Sequence, residues 1–498
     1  MTKKSDVLWY EEQTRQAPIA ILMIIFNVLK SIIRTWWPFI LILIFRSNFI
    51  SPDNAKITIA IVAIIVILVS VWRYFRFYFF LSDNKLHVYK GILTRTKLDI
   101  PFDRIQSITF EQNVVHQLFN VARIKIDTAG SSGEEFEFAA LDLKRADELR
   151  TFILSRKTGE ETDLQVATTK EQGKLMLNLS ISDLLKVGIS QNHFRTTGIV
   201  VAFLLGLRDR IKESLGDQYV DRFDSLAERL LENIVVYGLG LFVLILVLSF
   251  FGTLIYSVLR YYDLHLWKTR GGYKMESGLF NRREQVARDQ KLQVIRWITN
   301  PLRDIFGIVH LRFFQASSGK GSSKTSISVP GVPKELLGQV LRFYFGRSIQ
   351  SENTQDHGVH SSFFVRRLLY IVLLPCTVLL GLGLLTNSIG WFVVFAFWLL
   401  VGGLFQYYQY KKWRYFFYAD GLVTIAGVLE RVHKVLLHRK VQGVRLKQSP
   451  YQRRKNLATI VLHSASGDVK IPYVQMEYAL EMKNYILYKV ESSRLKWM

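Results

Sequence analysis

Cationic side chains are the groups in this chain best suited to bind something, and they concentrate towards its C-terminal end. Arg439, Lys440, Arg445, Lys447, Arg453, Arg454 and Lys455 lie in one short stretch. Such a cluster attracts anionic lipid headgroups, each Lys or Arg near a charged leaflet contributing ~1 kcal/mol. The same residues would also serve as a solvated loop on the positive side of a membrane. Lys320 and Lys324, in the Ser/Gly-rich turn 315–326, offer a phosphate contact or simply a polar hairpin tip. Chemistry of other kinds finds no footing. The 10 histidines include no H-E-x-x-H pair, and the single cysteine, Cys376, sits in an apolar run. Neither Gly271-Gly272 nor Gly319-Lys320-Gly321 has the spacing of a phosphate-cradling loop before a helix. No catalytic residue, metal or cofactor is expected, and the chain reads as non-enzymatic.

What positions the cations is a unit used three times. Stretches 91–130, 278–317 and 427–466 align without a gap, placing Gly91, Gly278 and Gly427 in one column, each followed by two apolar residues. Gln106, Gln293 and Gln442 share another column, and the strand-end position favours a hydrogen bond to nearby backbone over a functional role. Every second residue is apolar at Ala122/Val309/Ala458, Ile124/Leu311/Ile460 and Ile126/Phe313/Leu462, the period of a strand with one face in a core. A Gly/Ser turn and a second alternating strand follow, which predicts a hairpin. Helical periodicity then closes each copy, as in Leu149, Phe152 and Ile153, or Tyr478, Ala479, Met482 and Ile486.

Apolar runs precede each copy. Ile57–Val71, Asn233–Val258, Leu368–Leu385 and Trp391–Tyr410 carry no ionisable side chain other than tyrosine, and about 20 helical residues cross a bilayer core. Trp36–Phe45 and Gly198–Leu207 are bounded by arginines, and span only if those snorkel to the interfaces. Pro18–Ile33 reads as an interfacial helix feeding the first span. The organisation expected is membrane hairpin 17–72, domain 73–157, linker 158–174, hairpin 175–258, domain 259–346, linker 347–361, hairpin 362–410 and domain 411–498. No removable signal peptide is expected at the polar start.

Hydrophobic residues make up 49 % of the 498, more than in a soluble protein, and the net charge is +24. The three domains hold nearly all of that charge, at +3, +9 and +11 in chain order. The second spans end in mixed aromatics and cations, Arg73-Tyr74-Phe75-Arg76, Arg260-Tyr261-Tyr262 and Lys411-Lys412-Trp413-Arg414, whereas the loop 208–232 has five basic and seven acidic residues. The positive-inside bias therefore predicts six spans, with both termini and all three domains cytoplasmic. The aromatics gather at the membrane boundary instead of on strand faces that would stack bases, so nucleic acid is not an expected partner.

The paired spans and the β-plus-helix unit resemble the bacterial pleckstrin-homology-like (bPH) domain family of membrane proteins. The residues that carry it are Gly91-Ile92-Leu93, Gly278-Leu279-Phe280 and Gly427-Val428-Leu429, the Ile105-Gln106, Leu292-Gln293 and Val441-Gln442 steps, and Phe119-Asn120-Val121 with Phe306-Gly307-Ile308. Lys455-Asn456-Leu457 departs from the last motif by losing the aromatic. The fold implied is a multi-pass α-helical membrane protein bearing three small PH-like β-sandwich or barrel domains, each with a C-terminal capping helix. The resemblance further implies a Gram-positive-type cell membrane and an association with envelope stress or resistance to membrane-active peptides. Membrane lipids with anionic headgroups and a smaller homologous membrane protein are the expected partners. A lipid-handling or export component is the alternative reading.

Overall fold

The computed structural model describes residues 9–45, 52–92, 94–128, 136–158, 173–193, 196–202, 206, 239–316, 325–345 and 356–493. The turn with Lys320 and Lys324, the loop 208–232 and residues 203–205 and 207 of the weak span near 198–207 lie outside them.

Each repeat is two three-stranded antiparallel meanders followed by a helix. Repeat one runs β1 (Tyr78–Ser82), β2 (Lys85–Lys90) and β3 (Thr96–Pro101), then β4 (Ile105–Asn113), β5 (Val121–Thr128) and β6 (Phe136–Asp142). Lys174–Asn178 forms β7, an added strand ahead of repeat two. That repeat comprises β8 (His265–Thr269), β9 (Gly272–Ser277), β10 (Asn281–Arg288), β11 (Leu292–Thr299), β12 (Ile308–Gln315) and β13 (Thr325–Pro333). Repeat three follows the two-residue strand β14 (His357–Gly358), with β15 (Arg414–Phe417), β16 (Gly421–Ala426), β17 (Arg431–Leu437), β18 (Val441–Lys447), β19 (Leu457–Ser464) and β20 (Gly467–Gln475). Their helices, in chain order, are α1 (Ala20–Phe45), α2 (Pro52–Phe75), α3 (Val114–Leu118), α4 (Leu143–Thr158), α5 (Ile181–Ile189), α6 (Leu239–Tyr261), α7 (Pro301–Ile305) and α8 (Lys334–Phe345). There follow α9 (Ser362–Thr386), with a π-helical turn at Leu368–Leu373, then α10 (Ile389–Lys412), α11 (Pro450–Arg454) and α12 (Met476–Ser492).

Backbone geometry explains the repeated glycine. Gly91, Gly278 and Gly427 have φ of 113°, 111° and 110°, a region closed to side chains. A Cβ at Gly427 would stand 1.9 Å from the Glu430 carbonyl oxygen. A second left-handed column, not marked by one residue type, holds Asn120, Gly307 and Asn456. The glutamine column proves to be a bulge. Pairing slips between Ile105 and Ser107, Leu292 and Val294, and Val441 and Gly443, so the glutamine is the extra residue in every copy.

Contacts divide the chain into two units: Met1–Gln172, Ser180–Leu264 and Glu276–Glu284, and Gly173–Leu179, His265–Met275 and Gln285–Met498. In the first unit, Phe79, Leu86 and Val88 of one meander face Ile124, Ile126 and Phe138 of the other, and Leu149 and Ile153 of α4 close the end. These positions alternate along the strands and recur at i, i+4 on the helix, as expected of one buried face each. Thr14 bridges to Phe79 ahead of β1, and β4 pairs with the start of β10. Ser180 caps α5 with a reciprocal Asp183 bond. Gly188 of α5 packs against Leu254 of α6, where a Cβ would come 3.2 Å from the Leu254 Cα.

In the second unit the strands run in the order β13-β12-β11-β17-β16-β15-β14, so the second meander of repeat two continues into the first of repeat three. Strands β18-β19-β20 form a separate sheet. The core between these sheets contains Trp413, Tyr415, Leu422, Leu436, Ile460, Leu462 and Ile471, capped by Ala479, Met482 and Ile486 of α12.

The N-terminal membrane segment differs from its sequence reading. A single helix, α1, runs through Ala20–Phe45 where an interfacial helix and a short span were expected. Its first turns are held by repeat one, Ala20 and Met23 being buried against Val121 and Ala140. Chain that reads as interfacial is thus the domain-bound base of a continuous helix. The hairpin boundary at 175 also shifts, because Lys174–Asn178 is the strand β7 paired with β8. Among the described residues, three helices are long and apolar enough to cross a membrane: Gly240–Tyr261, Ser362–Thr386 and Ile389–Lys412.

Candidate functional site

The short helix between the fourth and fifth strands of each repeat is the best-defined surface feature. Its N-cap falls in one column. Asn113 Oδ1 accepts from the His116 N–H, Asn300 Oδ1 from that of Arg303, and Ser449 Oγ from that of Gln452. Gln452 returns the bond, its Oε1 accepting from the Ser449 N–H at 2.9 Å, and its Nε2 donates to Thr459 Oγ1 at 2.8 Å. The residue three beyond each cap, His116, Arg303 or Gln452, points inward and is buried. Those two or three positions further on point outward, and here the repeats diverge. Repeat one exposes Leu118 (78 %) and Phe119, and repeat two exposes Ile305 (76 %) beside the half-buried Phe306. Repeat three exposes Arg454 in the column of Leu118 and Ile305, Lys455 in that of Phe119 and Phe306, and Arg453 in the polar column of Gln117 and Asp304.

Helix α11 is held against the first turns of the membrane helix α9. Arg366, five residues into α9 from Ser362, donates through Nη1 to Ser449 Oγ and to the Tyr473 hydroxyl, both at 3.1 Å. The His360 N–H donates to the Tyr473 carbonyl at 3.1 Å. Tyr473 holds a left-handed φ of 53°, in a bulge position where repeat two has Gly331 at 68°. A tyrosine there costs backbone energy, of order 1–3 kcal/mol, and supplies the hydroxyl that meets Arg366. Next to it, Arg367 Nε donates to Gln406 Oε1 of α10 at 2.7 Å, joining the two helices of the hairpin. Gln448, Ser449, Pro450, Arg453 and Arg454 line an open cleft on this surface.

Not all of the sequence cluster is on that surface. Arg445 and Lys447 are exposed on β18, and Arg439 is half-buried. Lys440 is only 3 % exposed, and its Nζ donates to the Gln290 carbonyl oxygen. Burial, reinforced by Arg439, lowers its pKa to about 8. Gln293 is buried and Gln442 exposed at their bulges. Sequence reasoning passed over Arg366, Ser449 and Tyr473. The available signal was Arg366-Arg367, immediately ahead of the clean apolar run Leu368–Leu385.

The Gly-apolar-apolar turn also sits at a membrane helix. In repeat two, the Gly278 N–H donates to Tyr262 and the Leu279 N–H to the Leu259 carbonyl of α6, at 2.8 and 3.0 Å. Phe280 beside it is exposed. The Gln117 amide of α3 donates to the Leu279 carbonyl at 3.1 Å, so the tip of α3 shares that place.

No solved structure matches. A relative in Bacillus subtilis (strain 168), named UPF0699 transmembrane protein YdbT, is 21 % identical over 465 residues, covering 90 % of this chain and 92 % of the relative. The bacterial PH domain is matched three times, at residues 20–157, 226–348 and 362–490, each match taking in membrane helix and β domain together. With most of its length accounted for in this way, the chain belongs to the bacterial PH domain family.

Proposed function

We propose that this chain is a non-enzymatic, multi-pass membrane scaffold whose three PH-like domains lie on the cytoplasmic side and bind anionic lipid headgroups, most strongly through repeat three. The observation that carries the reading is the pair of bonds from Arg366 to Ser449 and Tyr473. They hold Arg453, Arg454 and Lys455 beside the start of a membrane helix, where headgroups would lie. Repeats one and two offer apolar side chains in the columns of Arg454 and Lys455, suited to dipping into the interface. The three long apolar helices, together with α1, α2 and the segment near 198–207, would make six spans. Large side chains on α6 and α10, such as Leu248, Phe251, Val393 and Phe397, are exposed as lipid contact requires. A role in envelope stress or in resistance to membrane-active peptides suits a protein that reads headgroup charge.

The test is hydrogen exchange on the full chain in nanodiscs. Phosphatidylglycerol should slow exchange over 449–456 relative to phosphatidylcholine, and high salt should remove the difference. Changing Arg453, Arg454 and Lys455 together to Glu should abolish it, with a loss of about 3 kcal/mol of lipid attraction. Equal exchange in both lipids would end the headgroup reading.

A further inference from the structure

The chain contains one inter-repeat joint twice, and each molecule carries the two halves of a third. The fourth strand of repeat one, β4, pairs with the third strand of repeat two, β10. Likewise β11 of repeat two pairs with β17 of repeat three. The register is the same in both. Glu111 stands opposite Arg283, and the equivalent residues Ile298 and Val432 stand opposite one another. Among the described residues, β18 pairs only with β19 and β3 only with β2. These are the fourth strand of the last repeat and the third strand of the first, the two types that meet at the existing joints.

We propose that β18 of one molecule pairs antiparallel with β3 of a second copy, in that same register, to give a head-to-tail oligomer in the membrane. Lys447 then lies opposite Thr96, Leu446 opposite Lys97, Arg445 opposite Leu98, Val444 opposite Asp99 and Gly443 opposite Ile100. No two like charges stand directly opposite, the arrangement that costs most across a ladder. The internal β11–β17 joint tolerates a worse case, Arg296 opposite Lys434. Pro101, which lacks an N–H, falls just beyond the last pair. One edge of each kind per molecule makes the contact heterologous, so the copies build rings or rows in the membrane plane. This contact does not depend on lipid binding.

Disulfide trapping tests it in the full chain with Cys376→Ser. Opposed residues in such a ladder have Cα atoms about 4.5–5.5 Å apart, within disulfide reach. Two differently tagged copies, one Thr96→Cys and the other Lys447→Cys, are co-expressed and the membranes oxidised with copper phenanthroline. A heterodimer carrying both tags should form at least about tenfold more than with either variant alone. It should likewise exceed by that margin the pair in which Asp103→Cys, exposed but off the edge, replaces Thr96→Cys. Absence of the heterodimer while both cysteines react with maleimide would overturn the proposal. So would dimers of the Lys447→Cys variant by itself, or a double variant that only closes within one chain.

Discussion

Glu111 and Arg283 oppose one another across β4 and β10 with 3.9 Å between charged atoms, whereas the residues in their columns, Ile298 and Val432, form an apolar pair. The joint keeps its register while the chemistry across it changes. Backbone pairing and the bulge at each glutamine therefore set the alignment, and side chains adjust the strength.

The neighbouring pair, Arg150 of α4 and Glu284 of β10, is shorter, at 2.7 Å, and largely shielded from solvent. Arg150 also lies over the Phe110 ring, 5.1 Å from its centroid. A double-mutant cycle of Arg150→Met and Glu284→Gln should return a coupling of about 1–2 kcal/mol, read as thermal stability in detergent. The Glu111–Arg283 cycle, longer and with Arg283 more exposed, should return less than about 0.5 kcal/mol. Reversed magnitudes would show that the apparent hierarchy of the joint is wrong.

Glycine at the repeated turn is required by conformation. Gly427→Ala should destabilise repeat three by about 3 kcal/mol, because its Cβ would collide with the Glu430 carbonyl at a φ of 110°. Gly338→Ala is the control. It lies in α8 with nothing within 4 Å of the new methyl, and should gain about 0.5–1 kcal/mol. Thermal unfolding of the two variants against the parent chain checks both signs.

Acid should loosen repeat three through His438. Its imidazole is 1 % exposed, and Nε2 donates to the Tyr418 carbonyl at 2.9 Å; Nδ1 has no hydrogen-bond partner among the described residues. Burial lowers its pKa to about 4, against an ordinary value of 6.5. The unfolded chain takes up this proton before the folded one does. Stability is thus complete above about pH 6.5 and declines as pH falls towards 4, with a loss on the order of 2 kcal/mol at pH 5. His438→Phe should lower stability at neutral pH yet flatten its change between pH 7 and 5. An unaltered acid slope in that variant would assign the effect elsewhere.

How much of this was written in the sequence depends on whether the constraint was local. The gapless glycine column, the strand alternation at Ile124 and Ile126 and the capping helices all arise from neighbouring residues, and all are found in the structure. Pairing partners are not local. Nothing in the period of Arg431–Leu437 says that it joins β11, because periodicity reports which face is buried and is silent about which edge is paired. The cation cluster was legible as charge, but Lys440 is inside a protein contact with Gln290 that lies 150 residues away. Likewise the base of α1 looks interfacial by composition, and only its packing on Val121 and Ala140 shows that a domain claims it.

The Arg366 anchor makes a prediction that separates positioning from charge. Arg366→Met keeps Arg453, Arg454 and Lys455 but removes both bonds donated by its Nη1, so hydrogen exchange over 449–456 should rise in either lipid. Ser449→Ala removes the cap as well as the acceptor and should cost about 1 kcal/mol. Tyr473→Phe is the informative third variant. It keeps the ring in the core of repeat three, against Phe363, and deletes only the hydroxyl, so stability should fall by only about 1 kcal/mol while the lipid-dependent protection of 449–456 weakens. If Tyr473→Phe left that protection whole, the hydroxyl would have no part in holding α11 at the membrane, and the strain at Tyr473 would need another cause.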